Sequence, residues 1–150
     1  MQPKIVFFDI DDTLFRKWQN FLPDSVLPAL RALQKAGIMV AVATGRSPCA
    51  IPAKVRALLD EIGLDVLVSI NGQFNQYRGQ TIASHPMDIA DVSDFITFFQ
   101  QQGWEYGVIS EEKMALSSDL PRVHDALYGT VPYEVDRDYY HHHAIYQMNT

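Results

Sequence analysis

Ile5-Val6-Phe7-Phe8-Asp9-Ile10-Asp11-Asp12-Thr13 stands near the start of the chain, and its reading decides the fold. Four consecutive apolar side chains of this type read as a buried strand. Acidic residues directly after such a strand lie at its carboxyl end, where open α/β sheets place their ligands. On an extended backbone Asp9 and Asp11 point to the same side, because successive side chains alternate. Two carboxylates so placed can hold a hard divalent cation and can set a nucleophile beside an acid–base group.

Outward from this stretch, residues 13–23 are polar and aromatic, with Phe15, Trp18 and Phe21, and read as a loop or flap. A helix follows. Asp24 or Ser25 can cap it, Pro28 falls in the first turn where no backbone N–H is needed, and Gly37 ends it. Leu27, Leu30 and Leu33 form its apolar stripe. Residues 38–43 are a second apolar run, too short for a helix between Gly37 and Gly45. Thr44-Gly45-Arg46-Ser47 then turns the chain, and a helix from about Pro52 presents Val55, Leu58, Leu59 and Ile62 on one side. Residues 66–70 read as a third strand. The order β-α-β-α-β predicts parallel strands with right-handed crossovers.

The pattern changes after Asn71-Gly72. Residues 73–77 and 80–84 flank Arg78-Gly79 and predict a β-hairpin. Residues 86–88 mark a boundary, so the expected organisation is a first α/β unit over 1–85, hairpin included, and a second unit over 86–150. In the second unit Asp88 caps a helix with the face Ile89, Val92, Phe95, Ile96 and Phe99, ending at Gly103. Phe98 is expected to join Phe95 and Phe99 in the core under that helix. Residues 104–110 and 113–117 read as strands, residues 119–129 as a helix, and residues 144–150 as the start of another strand.

The 150 residues have the length of one ordinary domain, and 47% hydrophobic with 20% charged residues is a globular composition. A formal net charge of −6 argues against a nucleic-acid or acidic-membrane partner, yet leaves room for a small phosphorylated substrate beside a local cation. Cys49 is the single cysteine, so no internal disulfide is possible, which suits a reducing cytoplasm. No stretch approaches the roughly 20 apolar residues of a membrane span. Asp9 interrupts the N-terminal apolar run, unlike a secretory signal.

With Asp9-Ile10-Asp11-Asp12-Thr13-Leu14 and Ala43-Thr44-Gly45-Arg46 both present and a helix between them, the chain resembles the haloacid dehalogenase (HAD) superfamily. More narrowly it resembles the Cof-type phosphatases, which insert an α/β (C2B) cap after the third core strand. The resemblance implies a Rossmann-like parallel-sheet core with an inserted α+β cap. It covers the N-terminal portion of such a protein. The rest of core and cap, a catalytic lysine and a second acidic loop are then expected outside these residues. None of the lysines, the last being Lys113, stands where that lysine belongs.

Carried over residue by residue, the resemblance implies a phosphatase that uses an aspartyl-phosphate. Asp9 would be the nucleophile, and Asp11 the general acid and then base. Mg²⁺ would bind the Asp9 carboxylate and the Asp11 backbone carbonyl. Thr44 Oγ1 and the Gly45 N–H would bind phosphoryl oxygens, and Arg46 and Asn71 would contact substrate. The implied partner is a small phosphorylated metabolite such as a sugar phosphate, with neither nucleic acid nor membrane. If the chain ends at Thr150, its first strand has a bare apolar edge, and self-association through that edge is expected.

Plainer readings stand beside these. Acidic residues at a strand end also make solvated loops, and Asn71-Gly72 is also a turn signal. Three consecutive histidines, His141-His142-His143, cannot all converge on one ion and read as a loop or strand edge. Cys49 reads as an ordinary small core residue. Alternative functions are a phosphomutase of the same superfamily and a chain without catalysis. A receiver domain would need its phospho-accepting Asp where Ser69-Ile70-Asn71 stands.

Overall fold

The computed structural model describes residues 4–119 and 131–150. They form two compact units, one running to Arg46 and resuming over Ile51–Ser84, the other made of Ser47–Ala50 and His85–Thr150.

In the first unit the elements run β1 (Ile5–Phe8), α1 (Val26–Lys35), β2 (Met39–Ala43), α2 (Ala53–Ile62), β3 (Val66–Ser69), β4 (Phe74–Tyr77) and β5 (Gln80–Ser84). They make a five-stranded sheet in the order β1-β2-β3-β4-β5. β1, β2 and β3 are parallel, with Phe8 opposite Val42 and Val42 opposite Leu67. This register brings the carboxyl ends of the three strands to one edge. β4 and β5 are antiparallel additions. Their hairpin turns through Arg78 (φ 48°) and Gly79 (φ 78°), the left-handed pair that a tight two-residue turn requires.

Leu30 of α1 and Val55, Leu58, Leu59 and Ile62 of α2 pack with Val40, Val42, Ile10, Leu14 and Phe15 in one core. Burying a side chain such as Leu30, at 1% exposure, contributes about 1.5–3 kcal/mol. Ser25 occupies the N-cap position of α1, but its hydroxyl makes no capping bond. Packing of the leucine stripe therefore holds this helix more than its cap does. Phe7 points to the opposite face of the sheet from Phe8 and is 51% exposed. Among the described residues β1 pairs with β2 alone, so it is an edge strand.

In the second unit α3 (Ile89–Gln101) accompanies β6 (Gly107–Ile109), β7 (Met114–Leu116), β8 (Tyr133–Val135) and β9 (Gln147–Asn149), whose sheet order is β8-β7-β6-β9. β6 is antiparallel to both β7 and β9, and β7 is parallel to β8. The Asp88 carboxylate caps α3 by accepting the Ala90 N–H at 2.8 Å. Val92 and Ile96 reach the core, with Tyr106, Val108, Ala115, Tyr139 and Ile145.

The apolar face of α3 is narrower than its sequence implies. Ile89, Phe95 and Phe98 are 52%, 49% and 47% exposed. Phe95 and Phe98 lie to one side of the buried stripe, where Phe95 stacks on Phe99 and Phe98 meets Phe99 and Trp104 edge-on, instead of entering the core. β8 has no counterpart in the sequence reading, because three residues between Pro132 and the charged run Asp136-Arg137-Asp138 carry no periodic signal. The helix expected over residues 119–129 falls, beyond Asp119, outside the described residues. The histidine triplet lies at and beyond a 3-10 turn, Tyr139–His141, and the His143 ring stacks on Tyr139 at 3.9 Å. Cys49 is half-buried and not a plain core residue: its thiol lies 3.0 Å from Ser47 Oγ, and its N–H donates to the Glu111 carbonyl at 3.1 Å.

No helix among the described residues is long and apolar enough to cross a membrane.

Candidate active site

The carboxyl edge of β1, β2 and β3 collects the candidate residues of the first unit. Asp9 leaves β1 exposed to solvent. Ile10 turns inward and is fully buried. Its carbonyl accepts the N–H groups of Thr13, Leu14 and Phe15, and the Asp12 N–H donates to the Phe15 carbonyl at 2.8 Å. Asp12 closes this turn at φ 57°, a left-handed conformation that Asp tolerates better than most residues. The buried Ile10 thus pins the loop while the alternation of the backbone leaves Asp9 and Asp11 turned away from the core.

Thr44 follows β2 and is 6% exposed. Its N–H donates to the Val68 carbonyl at 2.9 Å, which continues the parallel ladder past β2. Its Oγ1 accepts the Arg46 N–H at 3.1 Å, and its own O–H remains a donor. Gly45 lies against Asn71: a Cβ at this position would come within 3.2 Å of Asn71 Oδ1. Arg46 reaches back 35 residues to Asp11. Its Nε donates to Asp11 Oδ2 and its Nη2 to Asp11 Oδ1, both at 2.8 Å, in a forked ion pair.

The loop after β3 completes the edge. Ile70, Asn71 and Gly72 have φ of 49°, 53° and 91° in succession. The Ile70 N–H donates to the Arg46 carbonyl at 3.0 Å, and the Asn71 N–H to the Thr44 carbonyl at 3.2 Å. A left-handed isoleucine is a strained residue, costing about 1–2 kcal/mol. Burial of its side chain and these two bonds hold it there. Such strain clusters at functional sites. Nothing in the sequence marks Ile70, because isoleucine is a poor signal for this conformation.

The structure therefore joins Asp11 to Arg46, and Gly45 and Thr44 to Asn71, while Asp9 stands open beside Asp11. A cavity of about 630 Å³ in the same unit lies elsewhere, at the amino end of β3, with Arg56, Asp60, Asp65, Leu67 and Arg78 in its lining. The chemistry-bearing side chains are at the opposite end of that strand, and the donor geometry there is the better guide to function.

Among the described residues no group of three or more acidic, histidine or cysteine side chains could hold a metal ion. Two oxygens are nonetheless suitably placed. The Asp9 carboxylate is exposed, and the Asp11 carbonyl accepts none of the backbone bonds that close the 10–15 turn. Magnesium commonly takes one or two protein ligands and completes its shell with water and phosphate oxygens, so this sparse oxygen set fits it.

Known proteins resemble from 58% to 98% of the chain. A Streptococcus pyogenes protein named as a bifunctional phosphatase/peptidyl-prolyl cis-trans isomerase is 32% identical over 98% of this chain and 31% of its own. A Bacillus subtilis protein named phosphatase YkrA is 37% identical over 58% of this chain and 32% of its own. The matched stretches thus span about a third of the length of these curated relatives. Among solved structures, a Geobacillus kaustophilus protein superposes with a TM-score of 0.85 at 33% identity, covering 98% of this chain and 57% of that one. The HAD subclass IIB sugar phosphatase BT4131 superposes with a TM-score of 0.80 at 25% identity, covering 97% and 57%. Residues 6–149 match the profile of the haloacid dehalogenase-like hydrolases, and the chain belongs to that family.

Proposed function

We propose that these residues serve a Mg²⁺-dependent phosphatase that hydrolyses small phosphorylated metabolites, sugar phosphates among them, in the cytoplasm. The observation that carries the reading is the exposed Asp9 carboxylate at the end of β1, two residues from Asp11 and on the strand edge that holds Thr44 and Gly45. Relatives named phosphatase and a sugar phosphatase of similar fold support it.

An Asp9 oxygen attacks phosphorus, and the bond from phosphorus to the leaving oxygen breaks, giving an aspartyl-phosphate. Asp11 gives its proton to the leaving alkoxide. It then takes a proton from the water that attacks the aspartyl-phosphate, and inorganic phosphate leaves. The Thr44 O–H and the Gly45 N–H donate to phosphoryl oxygens as charge develops on them. The Asp9 carboxylate and the Asp11 carbonyl would hold Mg²⁺, which when bound supplies positive charge opposite the transferring phosphoryl group. Asn71, packed on Gly45, borders the substrate.

The test is phosphate release by the full-length protein across a panel of phosphomonoesters, with Mg²⁺ and with chelator. Asp9→Asn and chelation are each expected to reduce turnover to background. Undiminished release by Asp9→Asn overturns the reading. Isomerisation of hexose phosphates without net phosphate release would favour the phosphomutase alternative.

A further inference from the structure

We propose that Arg46 is a positioning residue for Asp11, and that its forked ion pair, not a contact with substrate, is its part in the reaction. The proposal deepens the phosphatase reading and rests on it. The fork uses both carboxylate oxygens of Asp11, one on Nε and one on Nη2, each at 2.8 Å. Two parallel bonds fix the plane of a carboxylate, whereas one bond lets it rotate. Both ends of the clamp are themselves anchored. The Arg46 N–H donates to Thr44 Oγ1 at 3.1 Å, and the Arg46 carbonyl accepts the Ile70 N–H at 3.0 Å. Asp11 sits in the turn closed on the Ile10 carbonyl.

The exposures of the two side chains decide what the clamp is for. The Arg46 side chain is 13% exposed and that of Asp11 is 31%. A pair this far out of solvent gives back much of its Coulomb attraction as lost hydration, so it is weak evidence of a stabilising role. Orientation is a different matter, because a proton donor displaced by about 1 Å can lose about 10²-fold in rate. For the first step Asp11 carries its proton on an oxygen lone pair that the fork leaves free, and that proton passes to the leaving alkoxide as the phosphorus–oxygen bond breaks. Arg46 holds that oxygen in place. A substrate contact through the same edge of the guanidinium would first have to break two charge-assisted bonds. Lysine keeps the charge but cannot form the fork.

Leaving-group dependence tests this in the full-length protein. An alkyl phosphate needs a proton on its departing oxygen, and 4-nitrophenyl phosphate does not. The readout is kcat/KM, which covers only the steps up to formation of the aspartyl-phosphate. Arg46→Lys and Arg46→Gln are expected to lower kcat/KM for the alkyl ester about 10²-fold, and for the nitrophenyl ester by about threefold or less. Equal losses on the two esters would mean a substrate contact and overturn the proposal. Wild-type values in Arg46→Lys would mean that charge alone suffices and overturn it as well. If Arg46→Gln does not fold, Arg46→Lys carries the comparison. Asp9→Asn separates the two levels of inference. Its retained activity sinks the phosphatase reading. An inactive Asp9→Asn with equal losses in the Arg46 variants sinks only the role given to Arg46.

Discussion

Replacing Ile70 with glycine should leave the protein more stable than replacing it with alanine, the reverse of the usual order. Both variants lose the same buried side-chain atoms beyond Cβ, a loss of about 2–5 kcal/mol that nearly cancels in the comparison. What remains is the backbone. At an ordinary position alanine is better than glycine by about 0.5–1 kcal/mol. At φ 49° the alanine Cβ keeps a left-handed penalty of about 1–2 kcal/mol that glycine lacks. The difference favours glycine by about 0.5–1 kcal/mol, which corresponds to a factor of about 2–5 in a local opening constant. Hydrogen exchange of the β3 amides, Val66–Ser69, reads that constant directly. Faster exchange is expected in Ile70→Ala than in Ile70→Gly, with the urea midpoints of the full-length variants in the same order. Slower exchange in Ile70→Ala would refute the reasoning, since it would mean that Ile70 does not occupy the left-handed region in solution.

Gly45→Ala should cost less than about 1 kcal/mol of stability, because its φ is not left-handed and only the Asn71 amide must yield by a few tenths of an ångström. Affinity for vanadate, a phosphoryl mimic, should nonetheless fall several-fold, and unchanged affinity would remove Asn71 from the site. In the second unit, burial raises the Tyr139 phenol above its ordinary 10.0, with Glu134 and Glu112 adding to the rise and the Ser110 bond and Lys113 opposing it. The unfolded chain therefore loses this proton first. Its contribution to stability is intact below pH 10 and declines as pH rises from 10.0 toward the raised folded value. Tyr139→Phe should remove that part of the alkaline decline, followed by circular dichroism alongside tyrosinate absorbance; an unaltered decline would count against it. A polypeptide of residues 1–150 expressed by itself should self-associate through β1, whose outer edge is unpaired among the described residues and whose Phe7 is 51% exposed. Phe7→Lys should reduce this in light scattering, and a monomeric unmodified polypeptide would contradict it.

Much of this architecture was legible in one dimension, because local patterns report period and burial. Ile5–Phe8 reads as a strand because four apolar residues stop at an aspartate. The inner face of α2 follows from Val55, Leu58, Leu59 and Ile62 at helical spacing, and all four are buried. The turn at Arg78-Gly79, the cap at Asp88 and the parallel order of β1, β2 and β3 were legible for the same reason: each depends on neighbours within a turn or on the handedness of a short crossover. Asp9 and Asp11 could be nominated because a strand end is a local feature, and Thr44 and Gly45 through the resemblance that their motif carries.

What touches what was settled only by the tertiary structure. The fork between Arg46 and Asp11 joins residues 35 positions apart, and it exists because the register of β1 on β2 brings their carboxyl ends level. The left-handed Ile70 contradicts its own propensity and persists through long-range bonds to Thr44 and Arg46. Ser47–Ala50, adjacent in sequence to a core loop, belongs with the second unit through contacts such as Cys49 to Glu111. Phe95 and Phe98 satisfy the helical pattern yet stay half exposed, because the width of an apolar face is set by what packs on it. Sequence determines what each segment prefers within a few residues of itself. Contact, strain and exposure depend on segments that meet only after the chain has folded.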